Sequence, residues 1–281
     1  MDPEKSAVLK TVTSFLSTIG ANNSPSLQAS HAYILPSSFA ALSHPDALLQ
    51  SRLSDALTRV EAQLATLFSS GASSSAEKPC APGPEVWVYE NIAAVWLGYE
   101  HVVDGAAVSR GVNLFGLLKT GPEEDEEREW KIAGIADTQW RPDGATPTIS
   151  STITSDLMAP INTFFAYMRA RNWTQLASTL LPGGGMTHSA ANEPLRQVTW
   201  PEFVEGLKGV IEKIPAEVDV NEKVYDVEAR VCGDMAFVWT PFVVEFNGVE
   251  RQKGVNVWTL LRREGAWWVS GCQDWGRGVG S

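Results

Sequence analysis

Three side chains in this sequence are suited by type and setting to move a proton: His188, Asp274 and Asp137. His188 follows the glycine-rich turn Pro182-Gly183-Gly184-Gly185 and lies in a short strand-like run, Met186–Ser189. Asp274 and Asp137 each end an apolar strand, in WWVSGCQD and EWKIAGIAD. Asn256 and Asn113 fall mid-strand among apolar neighbours, where an amide must be hydrogen-bonded or cost roughly 1–3 kcal/mol. Proton transfer needs a titratable group tuned by a mostly apolar pocket, and a donor to hold the developing charge. Trp96, Trp239 and Trp258 offer ring faces to a ligand, and Tyr225 and Tyr99 offer hydroxyls. Each residue also has a plainer reading. The histidine could be bonded at a strand edge, the aspartates could cap backbone, the asparagines could fix register, and the tryptophans could be core.

Other chemistries lack their signatures. Four histidines and three cysteines show no metal-ligand spacing, so no metal is expected. Dinucleotide, phosphate-loop and nucleophile-elbow motifs are missing, so no cofactor is expected. Lys+Arg 22 against Asp+Glu 33 gives −11, and no basic stripe exists, which argues against nucleic acid. Six acids and one base lie in Glu123–Glu129, read as a solvated hairpin tip. The odd cysteine count and the acidic, non-apolar start imply a reducing, cytoplasmic setting with no membrane span.

The segment that positions the candidates occurs twice. Ile92–Lys119 and Met235–Arg262 align at a constant offset of 143, and nine of 28 positions are identical. Roughly two identities are expected from average composition. This is a duplicated domain. The spacing predicts a first domain over 1–140, a linker over 141–155 and a second domain over 156–281.

Each copy reads as helical segments followed by strands. Leu9, Val12, Phe15, Leu16 and Ile19 recur at helical spacing, as do Leu53, Leu57, Val60, Leu64 and Leu67. Residues 69–84, rich in Ser, Pro and Gly, read as loop. In the second copy Ser155 or Asp156 caps a helix carrying Leu157, Ile161, Phe164, Phe165 and Met168. Thr199-Trp200-Pro201-Glu202 forms a capping box. Strands follow at 218–228, 235–246, 249–261 and 267–275. The plan is α+β.

Two-residue turns at Asp104-Gly105 and Asn247-Gly248 set an expected register. They pair Trp96 with Asn113 and Trp239 with Asn256. Phe237, Trp239, Asn256 and Trp258 should then share one face. Val238, Thr240, Phe242, Val255, Val257 and Leu261 should share the other. His101 should lie away from Asn113. A simple turn at Glu264-Gly265 would put Asp274 on the sheet face away from Asn256, and a bulge would reverse that. Neither face looks wet, and each buried large apolar side chain is worth about 1.5–3 kcal/mol. Helices can cover one face. The two copies are expected to cover each other's second face, as an intramolecular pseudo-dimer that is otherwise monomeric.

The order helix–helix–short strand–helix, then long antiparallel strands ending in EWKIAGIAD or WWVSGCQD, resembles the NTF2-like superfamily. Within it, the chain resembles SnoaL-like domains, which include polyketide cyclases and are related to ketosteroid isomerases. The resemblance implies two cone-shaped domains, each with helices packed on a curved antiparallel sheet around a pocket. It implies a small hydrophobic, polyketide- or steroid-like ligand, and cofactor-free isomerase, cyclase or dehydratase chemistry. His188 would be the base, and Asp274 a second catalytic candidate. Asn256, Trp258, Trp239, Tyr225, Asn113, Trp96 and Asp137 would contact the ligand. The first copy has Phe39, Ala40, Ala41 and Leu42 where the second has His188, so chemistry should favour the second copy. The rival reading is a carrier or scaffold whose pockets are filled by its own side chains.

Overall fold

The computed structural model describes residues 2–19, 27–44, 47–121, 128–191 and 193–280. Its chain divides into two compact units, Met1–Pro147 and Thr148–Ser281. Most of the acidic run read as a hairpin tip lies outside the described residues. No helix among the described residues is long and apolar enough to cross a membrane.

The first unit opens with α1 (Pro3–Thr18), where Asp2 accepts the backbone N–H of Glu4 at 2.8 Å and Pro3 occupies the first turn. A 3-10 turn (Gln28–Tyr33), β1 (Ile34–His44), β2 (Ala47–Arg52) and α2 (Leu53–Ser69) follow. Then come β3 (Ser75–Tyr89), β4 (Ile92–Val103), β5 (Ala106–Thr120) and β6 (Glu129–Trp140), in the sheet order β2-β1-β6-β5-β4-β3. Val8, Val12 and Phe15 of α1 and Leu53, Leu57 and Leu64 of α2 bury one apolar stripe each against Val95, Leu97, Phe115 and Leu117 of the sheet.

The second unit repeats the plan. It runs β7 (Ile149–Ser150), α3 (Ser155–Arg169), α4 (Trp173–Ala177), β8 (Leu180–Ala190), β9 (Arg196–Thr199) and α5 (Trp200–Ile211). The strands β10 (Val220–Val224), β11 (Glu228–Cys232), β12 (Met235–Phe246), β13 (Val249–Arg263) and β14 (Ala266–Gly278) complete it. The sheet order is β7-β11-β12-β13-β14-β8-β9, with β10 also pairing β12. The capping box forms as read, Thr199 and Glu202 each bonding the other's backbone N–H. The cap of α3 is Thr154, one residue before the expected pair.

Several expectations need correction. The sheets are not wholly antiparallel, because β1 runs parallel to β6 and β8 parallel to β14. Residues 75–84, read as loop, belong to β3. This is an edge strand, where proline costs little because its missing N–H is not required by a neighbour. The strand expected over 218–228 is broken into β10 and β11 around Asp226, which takes a positive φ of 44°.

The register is the main correction. The turns form as expected, with φ of 48° and 84° at Asp104-Gly105 and 50° and 76° at Asn247-Gly248. Val103 pairs Ala106 and Phe246 pairs Val249. One residue is then left over in each second strand, Val108 in one copy and Arg251 in the other. Each is a β-bulge, which slips all later pairs by one. Trp96 therefore faces Leu114 and Trp239 faces Val257, while Asn113 faces Leu97 and Asn256 faces Thr240. The expected Trp/Asn pairs do not exist in either copy. The two bulges keep the 143-residue offset, so the duplication outlives the pairing error.

The faces change accordingly. Ala236, Val238, Trp258 and Leu260 pack with the helices of the second unit. Phe237, Trp239, Val255, Val257 and Leu261 lie on the other face and are also buried. His101 and Asn113 now share the helix-side face.

Two glycines at this same offset permit close ring packing. Gly111 pairs Tyr99 and Gly254 pairs Phe242. A Cβ on Gly111 would strike the Tyr99 ring and the Thr138 carbonyl. One on Gly254 would strike the Trp275 carbonyl and the Phe242 ring. Gly111→Ala and Gly254→Ala should each lower stability by about 1–3 kcal/mol in denaturant titration. Gly248→Asn, in an open turn that accepts positive φ, should change it far less. Equal effects would contradict the packing.

Candidate functional site

The bulges bring the candidate polar residues into one row across each sheet. In the second unit His188 on β8 neighbours Asp274 on β14, Asp274 neighbours Asn256 on β13, and Asn256 neighbours Thr240 on β12. A further bulge between Thr259 and Leu260 brings Asp274 to the face of Asn256. In the first unit Leu42 on β1 neighbours Asp137 on β6, Asp137 neighbours Asn113 on β5, and Asn113 neighbours Leu97 on β4.

Each row contains a glutamate that sequence reasoning missed. Asn113 donates its amide to Glu77 of β3. Asn256 donates to Glu222 of β10 at 2.9 Å. A signal was present, since the dipeptide Glu-Lys recurs at 77–78 and 222–223, close to the repeat offset. Reading residues 69–84 as loop hid it.

The two rows differ in how they hold the aspartate. In the second unit His188 Nδ1 lies 2.7 Å from Asp274 Oδ1. The Asp274 charge raises the His188 pKa, against the opposing effect of burial. In the first unit Leu42 replaces the histidine, and the Tyr99 hydroxyl donates to Asp137 Oδ2 at 2.8 Å. The position equivalent to Tyr99 in the second unit is Phe242, which has no hydroxyl to donate.

Burial tunes both rows. It pushes the Glu77 carboxyl up to about 8, with the nearby Asp137 charge adding and the Asn113 bond opposing. It pushes Glu222 up to about 7, again against its asparagine bond. Burial, with the Asp137 and Glu77 charges, lifts Tyr99 well above its ordinary value, so it stays a donor. Burial lowers His101, whose Nε2 lies 2.9 Å from Ser75 Oγ, and so favours its neutral form. Cys272 is pushed far up by burial and is an unreactive thiol at neutral pH.

The cavity that reaches a polar row is in the first unit, while a second cavity of about 390 Å³ in the second unit, bordered by Asp156, Pro160 and Trp267, is not lined by His188, Asn256 or Asp274. A cavity of about 350 Å³ lies between α1, α2 and the sheet. Leu16, Leu42, Leu53, Leu57, Val60 and Phe115 form much of its apolar wall. Glu77, Tyr99, His101, Asn113 and Asp137 supply polar groups. In the second unit aromatic rings stand at the matching positions. Trp258 takes the place of Phe115, Phe165 of Leu16, Trp200 of Leu53 and Phe203 of Ala56. Phe164 and Phe165 meet Trp258 edge-on, with ring centroids 5.4 and 5.8 Å away, and Phe164 stacks on Phe203 at 6.0 Å. The Trp258 indole N–H donates to Thr240 Oγ1 at 2.9 Å.

The remaining expected contacts fall elsewhere. Trp96 and Trp239 point to the face away from the asparagines, because the bulge reversed them. Tyr225 is 44% exposed in the break after β10. Trp258 is a core ring of the second unit. Of the residues named from sequence, the first unit's polar row holds Asn113 and Asp137, and the second unit's holds His188, Asp274 and Asn256.

No protein-family model matches this chain, and no curated protein does. Many solved structures are similar to it. An NTF2-like protein with a cystatin-like fold from Novosphingobium aromaticivorans is 13% identical, covering 43% of this chain and 79% of its own, at a TM-score of 0.37. A protein of unknown function with a cystatin-like fold from Nostoc punctiforme is 10% identical, covering 46% and 96%, at 0.37. A protein provisionally described as a dehydratase of the NTF2-like family, from Streptomyces avermitilis, is 15% identical, covering 45% and 95%, at 0.36. Each spans less than half of this chain. The NTF2-like reading of the fold rests on the element order and strand pairing of each unit, helices packed on a long-stranded sheet in both.

The shifted carboxyls set the pH dependence of stability. Glu77 and Glu222 keep protons when folded that they lose when unfolded, so stability falls as pH rises from about 4.5 to about 8 through Glu77 and to about 7 through Glu222. His188, whose folded pKa is raised, acts in the same direction. Its stabilisation is full below about 6.5 and is lost as pH rises through the folded value. The melting temperature should therefore drop between about pH 5.5 and about pH 8.5. Glu77→Gln should flatten that slope and raise stability at the alkaline end, by up to a few kcal/mol at about 1.4 kcal/mol per pH unit of displacement. A slope unchanged in Glu77→Gln would show that this carboxyl is not buried as described.

Proposed function

We propose that the first unit binds a small, compact hydrophobic molecule in its cavity, and that Glu77 and Asp137 form a cofactor-free acid/base pair at the polar end. The carrying observation is the apolar cavity of about 350 Å³ whose lining includes the buried Asp137 and the half-buried Glu77, the latter raised to about 8. That volume falls at the lower end of small-molecule sites, about 300–1,000 Å³. A raised carboxyl beside a second one is a recurring arrangement for dividing acid and base roles. Glu77 would carry the proton, Asp137 would accept one, and Tyr99 would hold Asp137 in place. The polyketide- or steroid-like ligand and the isomerase, cyclase or dehydratase chemistry implied by the family resemblance belong to this proposal. Free Cys80, Cys232 and Cys272 suit a reducing, cytoplasmic setting.

For the second unit we propose a structural or interaction role, the rival reading from sequence. The observation favouring it is the set of rings Trp200, Phe203, Phe165 and Trp258, larger than their counterparts in the first unit, packed with Phe164.

Native mass spectrometry of freshly purified full-length protein should reveal a co-purified small molecule. Ala56→Phe, which copies Phe203 into the first unit, should abolish its retention, while His188→Ala should leave it intact. Retention that survives Ala56→Phe but is lost in His188→Ala would move the site to the second unit and overturn the assignment.

A further inference from the structure

We propose that Ser75 and His101, side by side on the wall of the first unit's cavity, form a nucleophile and base that transfer the acyl group of a compact hydrophobic ester, with Glu77 holding the carbonyl oxygen. This rests on the reading of the cavity as the binding site and adds a second activity to it.

The register places the three groups. Glu77 of β3 faces His101 of β4, and Ser75 lies two residues before Glu77, so their side chains share one face of the sheet. All three line the cavity. His101 Nε2 lies 2.9 Å from Ser75 Oγ, within the reach a base needs to take a hydroxyl proton. A buried hydroxyl takes an acceptor, and Nε2 is the one beside it, which puts the imidazole hydrogen on Nδ1. Burial keeps His101 neutral at pH 7, the form in which Nε2 accepts. Glu77 is a neutral acid below about pH 8. One of its oxygens accepts the Asn113 amide, so the other carries a hydrogen that a carbonyl oxygen can take. The remaining titratable groups on the cavity wall are Tyr99, which donates to Asp137 of β6, and Arg59 of α2, which donates to Ser51 Oγ at 2.7 Å. The residues of α1 that line it, Phe15, Leu16 and Ile19, are apolar and suit the body of an ester.

The second unit supplies the contrast. There Glu222 faces Val244 as Glu77 faces His101, and Val220 stands two residues before Glu222 as Ser75 does before Glu77. The hydroxyl and imidazole thus occur in the unit with room over its polar row, and two valines replace them in the unit filled with rings. Exchanging two valines for buried polar groups weakens a core unless those groups are used.

The step balances without a cofactor. Ser75 Oγ forms a bond to the acyl carbon while its proton passes to His101 Nε2. The bond from that carbon to the alcohol oxygen breaks, and the His101 proton leaves on the alcohol. Water repeats the sequence on the acyl-serine, releasing the carboxylic acid and restoring Ser75.

The test uses the full-length protein with p-nitrophenyl butanoate and, separately, phenylmethanesulfonyl fluoride. The protein should release nitrophenolate at about pH 7 roughly a hundredfold or more faster than buffer alone. The sulfonyl fluoride should add one group per chain, map to Ser75 and stop that release. Ser75→Ala should abolish both reactions, and His101→Gln should slow them by about 10²–10⁴-fold. In the unaltered protein the release should fall above about pH 8 as Glu77 ionises. Glu77→Gln keeps an N–H donor and should remove that fall, which a purely structural glutamate would not do. A label on another residue, or release that survives Ser75→Ala, overturns the assignment. Should Ser75→Ala fail to fold, the position of the label in the unaltered protein decides. Release equal at about pH 7 and about pH 9 overturns the part given to Glu77. If neither reagent reacts while Ala56→Phe still abolishes ligand retention, acyl transfer is overturned and the cavity stands. If neither reacts and Ala56→Phe leaves retention unchanged, the cavity reading falls with it.

Discussion

A carboxyl held by an asparagine inside an apolar sheet is the constraint on which both units turn. Neither Glu77 nor Glu222 could be placed among Val, Leu, Phe and Trp without a donor, since an unmet buried carboxyl is among the costliest groups a core can hold. Asn113 and Asn256 supply that donor from the neighbouring long strand. The asparagines can do so only because a one-residue bulge lies between them and the hairpin turn. Without it they would point to the face away from the helices, and the glutamates would have no partner.

The same frame has been filled in two ways. In the first unit modest side chains such as Ala56, Leu53 and Leu16 leave a cavity over the polar row. In the second, larger rings stand at those positions and pack edge-to-face, a geometry that adds stabilisation beyond area alone. The glycines opposite Tyr99 and Phe242 serve both fillings, because each lets a ring lie close over the neighbouring strand. In the first unit that closeness carries the Tyr99 hydroxyl to Asp137.

Much of this was legible in the sequence. The repeat, the helical stripes, the capping box and the positive-φ turns announce themselves through local chemistry, which is where sequence patterns are strongest. His188 and Asp274 were each legible as titratable groups on strands, but their adjacency was not, because it depends on β8 lying parallel to β14. The register was not, because a bulge is a two-against-one arrangement that leaves no local signature in residues such as Val108 or Arg251. One missed bulge in each copy put His101 on the wrong face from Asn113, and put Trp96 and Trp239 on the faces of the asparagines. Glu77 was lost differently, since Pro79, Pro82 and Gly83 read as loop and only an edge position lets such a strand persist. The filling of the second unit over its polar row was not read, because the preference for that copy weighed a histidine and not the bulk of Trp200, Phe203 and Trp258.

The differing partners of Asp137 and Asp274 give the halves unequal sensitivity to acidity. A phenol whose proton is held far above the neutral range keeps the same contact in every compartment of a cell. The His188 imidazole, whose pKa the Asp274 charge raises, can give up its proton as pH rises, and its bond to Asp274 then changes from an ion pair to a neutral contact. Doubling one frame has thus produced two equivalent aspartates, one held by a partner indifferent to pH near neutrality and one by a partner that can change its charge.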